Sequence, residues 1–180
     1  MAAVCVFCAS SQTIDERWLA LARDIGVRLG QRGHRVVSGG GRVGMMGTLA
    51  EGARRGGGFT YGVIPQGLVD LEVADEQADE LVITDGMAAR KTVMLDRADV
   101  FLVLPGGLGT LDELFEVWTT ATLGIHAKPI VLLDVDGFYA GLMSWLGGLV
   151  GLGFVRAEAI AMVHVARNMD EALDVVQRFG

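Results

Sequence analysis

Short aliphatic runs that recur along the chain, separated by stretches of helical periodicity, narrow the choice of fold more than any other feature. Runs rich in β-branched and aliphatic residues occupy positions 4–8, 35–38, 60–64, 81–84, 100–104, 130–133 and 162–165. Helical patterns fit 15–32, 45–55, 87–98, 111–122, 138–146 and 169–179. Strands that alternate with helices read as parallel strands joined by crossovers. Val100-Phe101-Leu102-Val103-Leu104 is apolar on both faces, the mark of a strand covered on each side of its sheet. The predicted fold is therefore α/β: a doubly wound, mostly parallel, Rossmann-like sheet with helices on both faces and its ligand at the carboxyl ends of the strands. Asn168, before Met169-Asp170-Glu171, has the chemistry of a helix N-cap. Residues 65–79 form the one long irregular connection, and loops of that length are often lids or subunit contacts.

At 180 residues and 19.1 kDa the chain has the size of one domain, and no linker or repeat divides residues 1–180. Fifteen Lys and Arg against 22 Asp and Glu leave a formal charge of −7, which argues against nucleic acid or an anionic membrane as a principal partner. A hydrophobic content of 51% argues against disorder. The mean hydropathy of +0.42 raises the question of a membrane span, and residues 137–155 carry no formal charge. Six glycines interrupt that stretch, so it reads as a short helix over 138–146 followed by a loop rather than a span of about 20 residues. No basic segment precedes the first apolar run, so no secretory signal is evident and a cytoplasmic location is expected.

Cys5 and Cys8 have C-x-x-C spacing, but in a strand residues three apart point to opposite faces, and no second pair completes a zinc site. They read as buried structural thiols. His34, His126 and His164 are scattered singly, so no metal is expected to be required.

Two predicted strands end in glycine clusters that lead into helices: Ser38-Gly39-Gly40-Gly41-Arg42-Val43-Gly44, and Pro105-Gly106-Gly107-Leu108-Gly109-Thr110. Glycine lets a ligand approach the backbone closely, and the free N–H groups at a helix start favour a phosphate. Either cluster alone could be a tight turn; together, on one sheet edge, they point to a phosphate or nucleotide site. Neither cluster is followed by the Lys-Ser/Thr of a P-loop, and the first strand leads into Ala9-Ser10-Ser11 instead of a dinucleotide fingerprint. Thr110-Leu111-Asp112-Glu113 also matches a capping box, a purely structural account of Glu113. Asp112, Glu113 and Glu116 would nevertheless repel a phosphate at that turn, so a cation must share the site. Arg90-Lys91 is the source available, since Lys91 and Lys128 are the only lysines. A cation and a carboxylate beside a phosphate clamp suit a glycosyl-type reaction, in which positive charge develops on the sugar.

Pro105-Gly106-Gly107-Leu108-Gly109-Thr110-Leu111-Asp112-Glu113 resembles the P-G-G-x-G-T-x-x-E signature of the LOG ("Lonely guy") family, the cytokinin riboside 5′-monophosphate phosphoribohydrolases. Gly39-Gly40-Gly41 with Val43-Gly44-Met45-Met46-Gly47, Met87 with Arg90-Lys91 and Met94, and Leu123-Gly124-Ile125-His126 before Lys128-Pro129 extend the likeness over most of the chain, closest to the short actinobacterial members. The resemblance implies hydrolysis of the N-glycosidic bond of a cytokinin nucleoside 5′-monophosphate, and of AMP in some cases, to free base and ribose 5-phosphate, without a cofactor.

By the same resemblance, Arg90 and Glu113 would be the catalytic pair. Glu113 would stabilise an oxocarbenium-like ribose or orient the attacking water, and Arg90 would position Glu113 and the ribose phosphate. Gly106, Gly107, Gly109 and Thr110 would hold the phosphate, with Gly40 and Gly41 as the opposite wall and Met87, Lys91, Leu108 and Glu116 as further substrate-binding residues. A homodimer is implied, with apolar surface between Leu111 and Leu123 in its interface. Ala88-Ala89 departs from relatives that carry a polar pair there, which bears on base preference. Relatives have also carried the label "lysine decarboxylase", but neither lysine lies in a recognisable Schiff-base setting. A nucleotide-binding protein without turnover and a Rossmann-like oxidoreductase are the competing readings.

Overall fold

The computed structural model describes residues 1–71 and 73–179. Seven strands, β1 (Ala3–Phe7), β2 (Arg35–Ser38), β3 (Thr60–Pro65), β4 (Glu80–Thr84), β5 (Val100–Val103), β6 (Ile130–Leu133) and β7 (Val163–Ala166), form one sheet in the order β4-β3-β2-β1-β5-β6-β7. Every neighbouring pair is parallel. The helices are α1 (Glu16–Gln31), α2 (Gly44–Arg55), α3 (Gln66–Val69), α4 (Met87–Arg97), α5 (Leu108–Thr122), α6 (Ala140–Gly151), α7 (Ala157–Ala161) and α8 (Met169–Arg178).

The period-2 alternation of the central strands divides the core. Val4, Val6, Val100 and Leu102 face α1, α2 and α8, while Cys5, Phe7, Phe101 and Val103 face α4, α5 and α6. Both central strands are thus buried on both faces, and truncating Phe101 to alanine should cost about 3–5 kcal/mol. Cys5 and Cys8 lie in opposite layers as free buried thiols.

Helix ends follow local chemistry in some places and tertiary contact in others. At α8 the Asn168 side chain accepts from the Glu171 N–H (2.9 Å) while Glu171 accepts from the Arg167 N–H (2.8 Å), a reciprocal cap of the kind its sequence predicts. The same logic fails at α5. That helix begins at Leu108, three residues before its expected start, with Gly107 as N-cap, so Thr110 lies inside the first turn. Its hydroxyl is turned toward Gly106, where a Cβ would stand 2.1 Å from Thr110 Oγ1. Thr110 and Glu113 therefore do not form a capping box. The expected loop after residue 146 is instead a continuation of α6 to Gly151, stabilised by packing of Leu142, Met143, Leu146 and Leu149 on the α5 side of the sheet. Short helices α3 and α7 lie where no helix is expected. Among the described residues, no helix is long and apolar enough to cross a membrane.

Strand order reverses between β1 and β5, so the chain leaves the sheet centre in both directions there. Diverging loops open a crevice at the carboxyl ends of these two strands.

Candidate active site

A cavity of about 460 Å³ occupies that crevice. The segment after β1 contributes Cys8 to Ser11, the turn after β2 contributes Gly39 and Gly41, and the start of α5 contributes Gly107 to Thr110; Arg90 and Glu113 reach in from α4 and α5. The remaining wall is apolar: Val43, Met46, Ile64, Leu68, Val73 and Met87.

The two glycine turns play different parts. At the start of α2 the N–H groups are taken, since Met45 and Met46 both donate to the Ala9 carbonyl (2.9 and 3.3 Å), Gly41 donates to Met46 Sδ (3.1 Å) and Arg42 donates to the Val73 carbonyl (2.8 Å). Gly44 has φ +61°, and a Cβ there would lie 2.6 Å from the Ser10 backbone, so this turn can close against β1 only as glycine. At α5, by contrast, the N–H groups of Leu108, Gly109 and Thr110 have no acceptor among the described residues, and the Gly107 N-cap carries no side chain to supply one. The helix dipole and these open N–H groups give the start of α5 the electrostatics that suit an anion.

Arg90 and Glu113 are both buried, with Arg90 Nη1 3.2 Å from Glu113 Oε1. The guanidinium is fixed on two further sides. Its Nε donates to the Val63 carbonyl of β3 (3.1 Å), and its Nη2 lies against Gly39. Burial pushes the Glu113 carboxyl up to about 7; Arg90 opposes that shift and neighbouring Asp112 reinforces it. Lys91, the next residue on α4, turns toward the exterior of α5, with Nζ 2.9 Å from Asp112 and 2.6 Å from Glu116. It therefore offsets the two extra carboxylates that the sequence places beside the anion site.

Of the residues expected at the site, Gly41, Met87, Arg90, Gly107, Leu108, Gly109, Thr110 and Glu113 line the cavity. Gly40, Gly106, Lys91 and Glu116 are not among its lining residues. Gly40 packs against Val63 and its carbonyl accepts from the Asp75 N–H, while Gly106 backs Thr110. Cys8, Ala9, Ser10, Ser11, Gly39, Val43, Met46, Ile64, Leu68 and Val73 were not anticipated as site residues. Ser10 and Ser11 were legible in principle, because they directly follow the first strand and so must lie at a carboxyl end. Among the described residues, no three His, Cys, Asp or Glu side chains are grouped to hold a metal ion.

Residues 46–176 match the family model described as "Possible lysine decarboxylase". A protein of Mycobacterium tuberculosis named cytokinin riboside 5′-monophosphate phosphoribohydrolase is 50% identical over 94% of this chain and 90% of its own length. The rice (Oryza sativa subsp. japonica) enzyme LOG, of the same name, is 42% identical over 93% of this chain and 69% of its own length. Among solved structures, the molybdenum cofactor carrier protein of Chlamydomonas reinhardtii superposes with a TM-score of 0.73 at 24% identity, covering 98% of this chain and 96% of its own, a likeness of fold.

Proposed function

This chain belongs to the LOG family of cytokinin riboside 5′-monophosphate phosphoribohydrolases, and we propose that it hydrolyses the N-glycosidic bond of a cytokinin nucleoside 5′-monophosphate, releasing free base and ribose 5-phosphate. The observation that carries this reading is the buried Arg90–Glu113 pair beside the open N–H groups of α5. A 5′-phosphate bound by Leu108, Gly109 and Thr110 puts the ribose between the α5 start and Glu113. As the bond from C1′ to the base nitrogen breaks, its electron pair leaves with the base, which takes up a proton. Positive charge then spreads over C1′ and the ring oxygen. An ionised Glu113 faces that charge and orients the water whose oxygen bonds to C1′ as hydroxyl, and the proton this water gives up balances the one the base takes up. Arg90 holds Glu113 in register. The phosphate end is polar, so the base faces the apolar wall of Ile64, Leu68, Val73 and Met87, which suits an N6-alkylated adenine; AMP would leave part of that wall uncovered.

Decarboxylation of lysine does not fit these residues. A Schiff-base lysine must lose its proton, yet Lys91 is held protonated, its pKa raised by hydrogen bonds to Glu116 and Asp112, and Lys128 Nζ donates to the Leu95 carbonyl (2.6 Å). A homodimer and a cytoplasmic setting belong to the same proposal. Within the expected interface Leu123 is exposed and Leu111 half-buried, while Leu114 and Val117 are core residues; exposed Ile125, two residues after Leu123, adds to the apolar surface.

Glu113→Gln tests the reading. The variant should bind the nucleotide by calorimetry with an affinity near wild type and release no base; turnover at the wild-type rate would refute the assignment of Glu113.

A further inference from the structure

Leu68 and Val73 belong to the connection between β3 and β4, yet they form part of the cavity wall. What holds them there is a strap laid across the glycine turn after β2. Ala74 makes an antiparallel bridge with Gly41, Arg42 donates to the Val73 carbonyl (2.8 Å), Asp75 donates to the Gly40 carbonyl (2.8 Å), and Val73 donates to Leu68 (3.5 Å).

Among the described residues, Leu68, Val73 and Ala74 of this strap belong to neither hydrophobic cluster of the core. A second cavity, about 640 Å³, lies on its far side, bordered by Arg42, Thr48, Glu51, Arg54, Val69 and Ala74 among others. Among the described residues, the ionic tie across the gap is Arg54 of α2, whose Nη1 and Nη2 donate to the two carboxylate oxygens of Asp75 (2.8 and 3.4 Å). Asp75 is buried, and it also accepts from the Gln77 N–H (3.2 Å). A paired fork of this kind fixes orientation as well as distance.

We infer that Arg54 and Asp75 are positioning residues that set the Leu68–Val73 side of the substrate cavity and thereby its preference for an apolar substituent on the base. Neither residue touches the reacting atoms, and the start of α5 that binds the phosphate is independent of them. The inference rests on the proposed reaction in assuming that the base faces this wall. Loosening the strap should weaken contact with the substituent and leave the chemistry at Glu113 unchanged.

The test compares isopentenyladenosine 5′-monophosphate with AMP in wild type, Asp75→Asn and Arg54→Lys. In Asp75→Asn the prenylated-to-AMP ratio of kcat/KM should fall about tenfold, through KM of the prenylated substrate, with kcat on AMP within about twofold of wild type. Arg54→Lys, which keeps the charge but loses the fork, should fall between the two and remains the test if Asp75→Asn fails to fold. An unchanged ratio, or an equal loss on both substrates, overturns the inference. If wild type releases no base from either nucleotide, the proposed reaction fails. The ratio of the two dissociation constants, measured by calorimetry on the same three proteins, then tests the strap on its own, and an unchanged ratio overturns it.

Discussion

The guanidinium of Arg90 lies against Gly39: a Cβ built on that glycine would stand 1.6 Å from Nη2 and 2.7 Å from Cζ. The turn after β2 thus gives up a side chain so that an arginine from α4 can pass beneath it to Glu113 on α5. Gly39→Ala should fold, because the group in the way is the end of a flexible side chain, but Arg90 must shift. The expected result is a loss in kcat of about 100-fold with a melting temperature within a few degrees of wild type. Activity close to wild type would contradict the role given to Arg90.

Ionisation of Glu113 links activity and stability with opposite signs. Its carboxyl is raised from 4.5 to about 7, so between those values the folded protein holds a proton that the unfolded chain releases. The stability gained is present below the unfolded pKa and lost as pH rises through about 7, an effect on the order of 3 kcal/mol. The stability of Glu113→Gln relative to wild type should therefore improve between about pH 5 and about pH 8 by chemical denaturation. In the proposed reaction the ionised form is the active one, so kcat/KM of wild type should rise with pH to a plateau, with its midpoint near 7. A rate that falls through this range would exclude a carboxylate role.

Lys91 lowers the Glu113 pKa and Asp112 raises it. Lys91→Met should therefore move the ascending limb of the pH profile upward, and Asp112→Asn should move it downward. Opposite displacements cannot arise from a general loosening of the fold, so a common direction for both variants would refute the electrostatic account.

The double-sided apolar runs made the sheet legible, because only a covered parallel strand keeps Val100 to Leu104 apolar on both faces. The sheet-edge placement of the two glycine turns, and the need for a cation near Asp112, Glu113 and Glu116, were legible for the same kind of reason. Short-range rules failed where a distant contact decides. Thr110 and Glu113 have the spacing of a cap, but Gly106 draws the Thr110 hydroxyl and Arg90 draws the carboxylate. Glycines suggested an early end to α6, yet packing of Leu146 and Leu149 carries the helix on. The wall of Leu68 and Val73 was not readable, since it depends on pairings of Gly41 with Ala74 and Arg54 with Asp75 that no local pattern announces.

Both thiols should be inert in the native protein. Burial pushes Cys5 and Cys8 well above the ordinary thiol range, and Glu113 pushes in the same direction. With a disulfide-exchange reagent at about pH 8, labelling should wait for unfolding by denaturant. Rapid stoichiometric labelling of native protein would show that Cys8, at the cavity wall, is open to the site.

The most direct measurement incubates the purified protein with isopentenyladenosine 5′-monophosphate and follows free base, ribose 5-phosphate, nucleoside and inorganic phosphate by chromatography. Hydrolysis at C1′ predicts base and ribose 5-phosphate in equal amounts, with no nucleoside and no inorganic phosphate. Release of nucleoside and phosphate, or binding without any product, would contradict the account.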